Sequence, residues 1–290
     1  MKNKLINILA LFFQFLDVVL CKLHLKTPTV IVYMDGGICS QMMMYIHGMY
    51  YTKHGFDVLY DDLWFKRCGK DQFGQMDRKL ELTEMWPNLV IKTPSKWQRK
   101  WYLLFFKAPR IVGDWLPNAA QIKRSFYLNG YWNIPIQVLQ EIFPELYDMT
   151  NASVPAKYRQ CNYDNVVGVH VRRGDLAKGD NPVYGGVTDG YFLNAIDFCN
   201  QRFAPNKYIF FSDEPDWVEQ NICKHLEQPY DIMRNNKAWE DLWLLAQCPV
   251  IVASQGSFGK VAARLNPQSI LIQCDNKYAL RERENTYFIQ

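Results

Sequence analysis

From Val166 onward, short runs of β-branched and aromatic residues alternate with stretches of helical spacing, and this alternation constrains the fold more than any other feature. Val166-Val-Gly-Val-His-Val171, Lys207-Tyr-Ile-Phe-Phe211 and Val250-Ile-Val-Ala253 are nearly unbroken apolar runs, as strands buried on both faces require. Between and after them, Asp189 to Phe203, Glu214 to Cys223, Trp239 to Ala246 and Lys260 to Leu265 read as helices. Strand and helix in strict succession imply crossover connections. The expected sheet is therefore parallel and doubly wound, with ligands at the carboxyl ends of its strands.

An earlier stretch repeats the theme. Thr29-Val-Ile-Val-Tyr-Met34 reads as a buried strand, Asp35-Gly-Gly-Ile-Cys-Ser40 as a glycine turn, Gln41 to Tyr51 as a helix and Phe56-Asp-Val-Leu-Tyr60 as the next strand. The region from Asp61 to Tyr127 is less ordered in pattern. Its basic aromatic part, Lys96 to Arg110, reads as a helix whose Trp97, Trp101 and Tyr102 face either an acceptor or the core. At 290 residues and 49% hydrophobic composition the chain suits two α/β domains. The turn formers from Thr150 to Pro155 place the boundary there, which gives an apolar helix over 1–27 and domains over 28–155 and 156–290.

The net charge of +4 is spread along the chain, so no nucleic-acid partner is expected. An RNA-binding reading would rest on that charge and on Lys96 to Arg110 alone. The eight cysteines form no CxxC pair and no cluster with histidine, which excludes the usual zinc patterns and fits reduced thiols in a cytoplasmic protein. Leu5 to Leu20 is apolar apart from Asn7, Gln14 and Asp17, with Lys2, Lys4, Lys22 and Lys26 on its flanks. This pattern resembles a signal peptide, a short anchor or an interfacial helix, and the interior Asp17 and flanking lysines favour an interfacial helix in peripheral contact with a membrane; a helix packed on the first domain is the plain alternative.

Candidate chemistry gathers at strand ends. His170 and Val171 are followed at once by Arg172 and Arg173, which places paired positive charge just past a buried strand. Guanidinium forks stay charged and match phosphate oxygens in pairs, so this turn suits a diphosphate. Gly174 permits a tight turn, and Asp175 can brace one guanidinium. The plain alternatives are a salt-bridged surface turn or a chance Arg-Gly-Asp. Ser254-Gln-Gly-Ser-Phe-Gly259 joins a strand to a helix whose first N–H groups can cradle phosphate, unless the loop is merely structural. No GxxxxGK[ST] sequence is present, which argues against a P-loop NTPase. Asp35-Gly36-Gly37 lets backbone pass close to a ligand. Ser212 and Asp213 either hold a ribose or base or cap the following helix.

Taken in order, these segments resemble family-11 glycosyltransferases, the α-1,2-fucosyltransferases that use GDP-fucose, over most of Val30 to Asn266. Gly36-Gly-Ile-Cys-Ser-Gln-Met42 looks like the family's GGLGNQM, which brings in Gln41, and His170-Val-Arg-Arg-Gly-Asp175 looks like its HxRRGD. Phe211-Ser-Asp213 looks like FSD, Leu128-Asn-Gly-Tyr-Trp132 like GYxQ, and Asp241 to Cys248 with Ser257-Phe258 like DLxLMSxC…STFS. The resemblance implies a GT-B-like α/β fold of two Rossmann-type domains with parallel sheets facing a cleft. It also implies an inverting transfer with no metal and no other cofactor. His170, Arg172, Arg173, Asp175, Ser212, Asp213, Ser257 and Phe258 would hold the donor, with Arg172 or Arg173 neutralising the β-phosphate. Asp35 is the first candidate for proton acceptor, and His170 suits an orienting role better. The partners implied are a GDP-sugar and a glycan or lipid-linked oligosaccharide, in surface-polysaccharide assembly on the cytoplasmic face of the membrane. Two departures stand out. Gly259-Lys-Val-Ala-Ala-Arg264 replaces a tryptophan-rich stretch, which keeps another GDP-sugar or an inactive binding relative open, and Cys39-Ser40 replaces Gly-Asn.

Overall fold

The computed structural model describes residues 2–70, 77–108, 116–130, 134–159, 161–174, 189–275, 279–281 and 283–290. The chain forms two compact units, Met1–Ile142 and Phe143–Gln290. Asp175, Tyr131 and Trp132, singled out in the sequence, lie outside the described residues.

The first unit runs α1 (Lys2–Lys22), β1 (Thr29–Tyr33), α2 (Ile38–Lys53), β2 (Asp57–Asp61), α3 (Leu63–Arg67), α4 (Leu82–Met85), α5 (Lys96–Phe105) and β3 (Phe126–Leu128). Its three strands are parallel in the order β2-β1-β3, so the most apolar strand, β1, is central. Residues 1–27 are not a separate element: α1 belongs to this unit. Gln14 donates from Nε2 to the Phe105 carbonyl (2.6 Å), and the buried Asp17 carboxylate accepts from the Ser125 N–H (2.5 Å), the Ser125 hydroxyl and the Lys26 ammonium. Two of the three polar residues that interrupt the apolar run, Gln14 and Asp17, thus anchor the helix to its domain.

The change of unit falls inside α6 (Ile136–Ser153), beside Pro144, whose ring removes one helix hydrogen bond. It lies ahead of the turn formers near residue 155. Two of those, Thr150 and Ser153, instead bond back from their hydroxyls to the Leu146 and Met149 carbonyls (2.7 and 3.1 Å) and extend the helix.

The second unit continues with α7 (Ala156–Arg159), β4 (Val166–Val171), α8 (Asp189–Phe203), β5 (Lys207–Ser212), α9 (Pro215–Asn221), β6 (Tyr230–Ile232), α10 (Ala238–Gln247), β7 (Val250–Ala253), α11 (Phe258–Leu265), β8 (Ile270–Cys274) and β9 (Thr286–Ile289). Its six strands are all parallel in the order β6-β5-β4-β7-β8-β9. This is the Rossmann order: the first strand, β4, lies inside the sheet, and the chain winds outward first on one side and then on the other. On one face Val167, Val169 and Val171 of β4 pack in a core with Tyr191, Phe192 and Ala195 of α8. On the other face Gly168 admits α10, since a Cβ there would lie 2.7 Å from Leu245 Cδ1 and 2.8 Å from Cys248 Sγ.

Candidate functional site

In a sheet of this order, the crevice opens where the two winding directions part, at the carboxyl ends of β4 and β7. Both motif loops of the second unit emerge there. They are laced together: the Ser254 N–H donates to the His170 carbonyl (3.0 Å), and the Ser254 hydroxyl donates to the Arg172 carbonyl (3.4 Å). The Phe258 ring stacks on His170 with centroids 4.8 Å apart. Gly259 makes this approach possible, because a Cβ there would meet Ala253 Cβ at 2.6 Å. Gly256, at φ 90°, turns the loop toward the exposed Ser257 at the start of α11.

The two arginines are held differently. Arg173 is fixed on three sides: its N–H donates to Asp213 Oδ1 (2.9 Å), its Nε donates to Glu214 Oε2 (3.4 Å), and its guanidinium carbon lies 3.5 Å over the Trp217 ring. Arg172 Nε lies 3.8 Å from Asp213 Oδ2, close enough for charge attraction but beyond hydrogen-bond length. Asp213 Oδ2 is buried and accepts no hydrogen bond among the described residues. Ser212 accepts the Glu214 N–H (3.0 Å), so its hydroxyl shapes the turn out of β5. Neither Ser212 nor Asp213 caps α9; Glu214 occupies that position without a side-chain cap, and Pro215 opens the helix.

His170 is buried, and its Nδ1 has no partner among the described residues. Burial, aided by the Arg172 charge, lowers its pKa from 6.5 to about 3, so the ring is neutral at ordinary pH. A neutral imidazole wedged between Phe258 and the strand end suits positioning better than proton transfer. Asp241, at the head of the α10 motif, accepts from Asn236 Nδ2 (2.8 Å), and burial raises its pKa to about 6.

In the first unit, Asp35, Gly36 and Gly37 follow β1, and Gly36 takes φ 72°. Gln41 is fully buried on α2 and acts as a clamp. Its Nε2 donates to the Gly36 and Lys79 carbonyls (3.0 and 2.9 Å), and its Oε1 accepts the Glu81 N–H (2.8 Å). It therefore fastens the glycine turn to residues 79–82. Sequence reasoning named the loop that opens at Ser254 but missed Trp217 as the platform under Arg173 and Glu214 as its partner; an aromatic residue three positions past Glu214 was the available signal. Among the described residues no group of three or more His, Cys, Asp or Glu side chains is arranged to hold a metal ion.

An arginine pair and a serine-glycine loop meet at the switch point of a Rossmann-ordered parallel sheet in an α/β protein. The family model of glycosyl transferase family 11 matches residues 113–287, more than half of the chain, and the chain belongs to that family. It is a glycosyltransferase. An alpha-1,2-colitosyltransferase of Escherichia coli is 22% identical over 79% of this chain and 84% of its own length. The galactoside 2-alpha-L-fucosyltransferase SEC1 of Bos taurus is 32% identical over 40% of this chain, which spans only 30% of that relative. Among solved structures, NodZ alpha-1,6-fucosyltransferase soaked with GDP-fucose aligns with 91% of this chain and 98% of its own, at 13% identity and a TM-score of 0.48.

Proposed function

We propose that this glycosyltransferase moves fucose from GDP-fucose to a galactose-type hydroxyl of a glycan, with inversion and without a metal ion. The observation that carries the reading is the junction of the Arg172 turn with the Ser254–Phe258 loop at the carboxyl ends of β4 and β7. In this reading the acceptor oxygen attacks the anomeric carbon, the bond from that carbon to the β-phosphate oxygen breaks, and GDP departs. Arg172 neutralises the charge that develops on the diphosphate, while Arg173, Asp213 and Trp217 keep the turn in place. Ser257, Phe258 and the start of α11 complete the anion site. Asp35 is the carboxylate assigned to receive the acceptor proton. The acceptor is a glycan or lipid-linked oligosaccharide, and the setting is polysaccharide assembly on the cytoplasmic face of a membrane; the eight free cysteines suit it.

A second donor has a specific observation behind it, because the bacterial relative aligned over most of this chain is a colitosyltransferase. Colitose is fucose without its 3-hydroxyl, so both sugars would suit one pocket. The test is GDP release from GDP-fucose, GDP-colitose and GDP-mannose, with galactose-terminated acceptors, in the presence of EDTA. Transfer from a deoxy-sugar donor is expected. Activity abolished by EDTA and restored by a divalent cation would remove the metal-free clause, and GDP binding without turnover of any donor would leave a binding protein in place of an enzyme.

A further inference from the structure

The first unit carries an exposed apolar surface on α1 and α5. On α1, Ile8, Phe12 and Phe15 follow helical spacing on the side opposite the buried Asp17, and all three are more than half exposed. On α5, Trp97, Trp101 and Leu104 form a second stripe, with Trp97 78% exposed. The stripes adjoin through Phe13, whose ring lies 5.6 Å from Phe12, 4.8 Å from Trp101 and 5.2 Å from Phe105.

We propose that α1 and α5 together dock this protein flat on an anionic lipid bilayer, as a monotopic helix pair. Charge complementarity selects this occupant. Lys4 and Lys22 lie on α1 and Lys96 and Lys100 on α5, with Lys100 Nζ 5.6 Å above the Trp97 ring. The only acid within either helix is Asp17, which is buried under Lys26 and Ser125. The exposed side chains of the two helices are thus apolar, cationic or neutral polar, with none acidic, which matches headgroups over acyl chains. The Lys4–Lys22 segment has the length and hydropathy to cross a bilayer. However, Gln14 bonds it to the end of α5, and Asp17 bonds it to Ser125. Crossing would break those bonds or bury the domain beside them, whereas lying in the interface keeps both. A second copy of the chain could cover the apolar part but would bring the same cations face to face.

The test is co-sedimentation of the full chain with phosphatidylcholine vesicles, with and without phosphatidylglycerol, at low and high salt, with no nucleotide present, so that it stands apart from the donor reading. Binding is expected only with phosphatidylglycerol, weakening as salt rises. The Phe15→Ser/Trp97→Ser/Lys100→Glu variant should bind at least about tenfold more weakly while keeping the parent's melting temperature. Trp97→Ser alone, at a largely exposed position, guards against misfolding of the triple variant and should reduce binding in the same direction. Absence of binding to anionic vesicles at low salt would overturn the proposal, as would self-association abolished by the same substitutions in a protein that ignores vesicles.

Discussion

Asp213 divides the labour between two adjacent arginines. One of its oxygens takes the Arg173 N–H and so fixes the backbone, while the other stands 3.8 Å from Arg172 Nε and attracts it by charge. Changing Arg172 to Lys keeps the charge and loses the fork, so kcat is expected to fall roughly a hundredfold or more with the melting temperature unmoved. Arg173→Lys should lower the melting temperature and raise KM more than it lowers kcat, because it removes the Trp217 stack and the Glu214 bond. Equal kcat losses in the two variants would defeat this division. His170 makes a separate prediction. Its folded pKa of about 3 lies below the ordinary 6.5, so between those values the unfolded chain binds the extra proton. Stability from this group is intact above pH 6.5 and is lost as pH falls toward 3, by up to about 1.4 kcal/mol per pH unit. Chemical denaturation of His170→Phe across that window should show a flatter slope than the parent. An unchanged slope would assign the acid sensitivity elsewhere.

At the scale of elements, the loop after β7 is positioned by close packing as well as by the hydrogen bonds of Ser254. Gly259→Ala would drive a methyl against Ala253, 2.6 Å away, and should cost about 1 to 3 kcal/mol, displacing the start of α11 from His170. Adding Ala253→Gly removes one of the two colliding methyls and should recover part of that loss in a double-mutant cycle; purely additive effects would show that the collision is not the cause. Most strands legible in the sequence had four or more apolar residues in a row, such as β4 and β7, because burial on both faces writes itself into composition, and β2 was legible from a shorter run after the helix that precedes it. β3 and β6 have only three residues each, too few to show a period, and they exist because a parallel neighbour supplies their hydrogen bonds. The helix expected over Lys96 to Arg110 is observed only to Phe105. The Phe106 carbonyl instead accepts the Tyr127 N–H, which draws the chain onto the edge of β3.

For the whole molecule, local patterns made β1, β2, β4, β5 and β7 legible, but neither the other strands nor the order in which the six strands of the second sheet assemble. That order depends on pairings between residues far apart, and it is what makes the ends of β4 and β7 neighbours. The same limit applied to Asp17 and Gln14, which read as interruptions of an apolar helix until Ser125 and Phe105 supplied their partners. The glycine turn and the arginine turn lie in different units, each built around its own parallel sheet. A ligand that binds only the native state stabilises the segments whose opening would release it. GDP contains the diphosphate and lacks the sugar, so by itself it should slow amide exchange around 166–174, 207–214 and 250–259 of the second unit. Peptides covering β1 and the Asp35–Gly37 turn should exchange as in the free protein. Arg172→Ala should abolish the protection at all three segments together, since the lacing of Ser254 to the His170 and Arg172 carbonyls joins two of them and Asp213 joins the third. Protection centred on residues 35–41, or protection that survives loss of Arg172, would move the diphosphate site out of the six-stranded sheet.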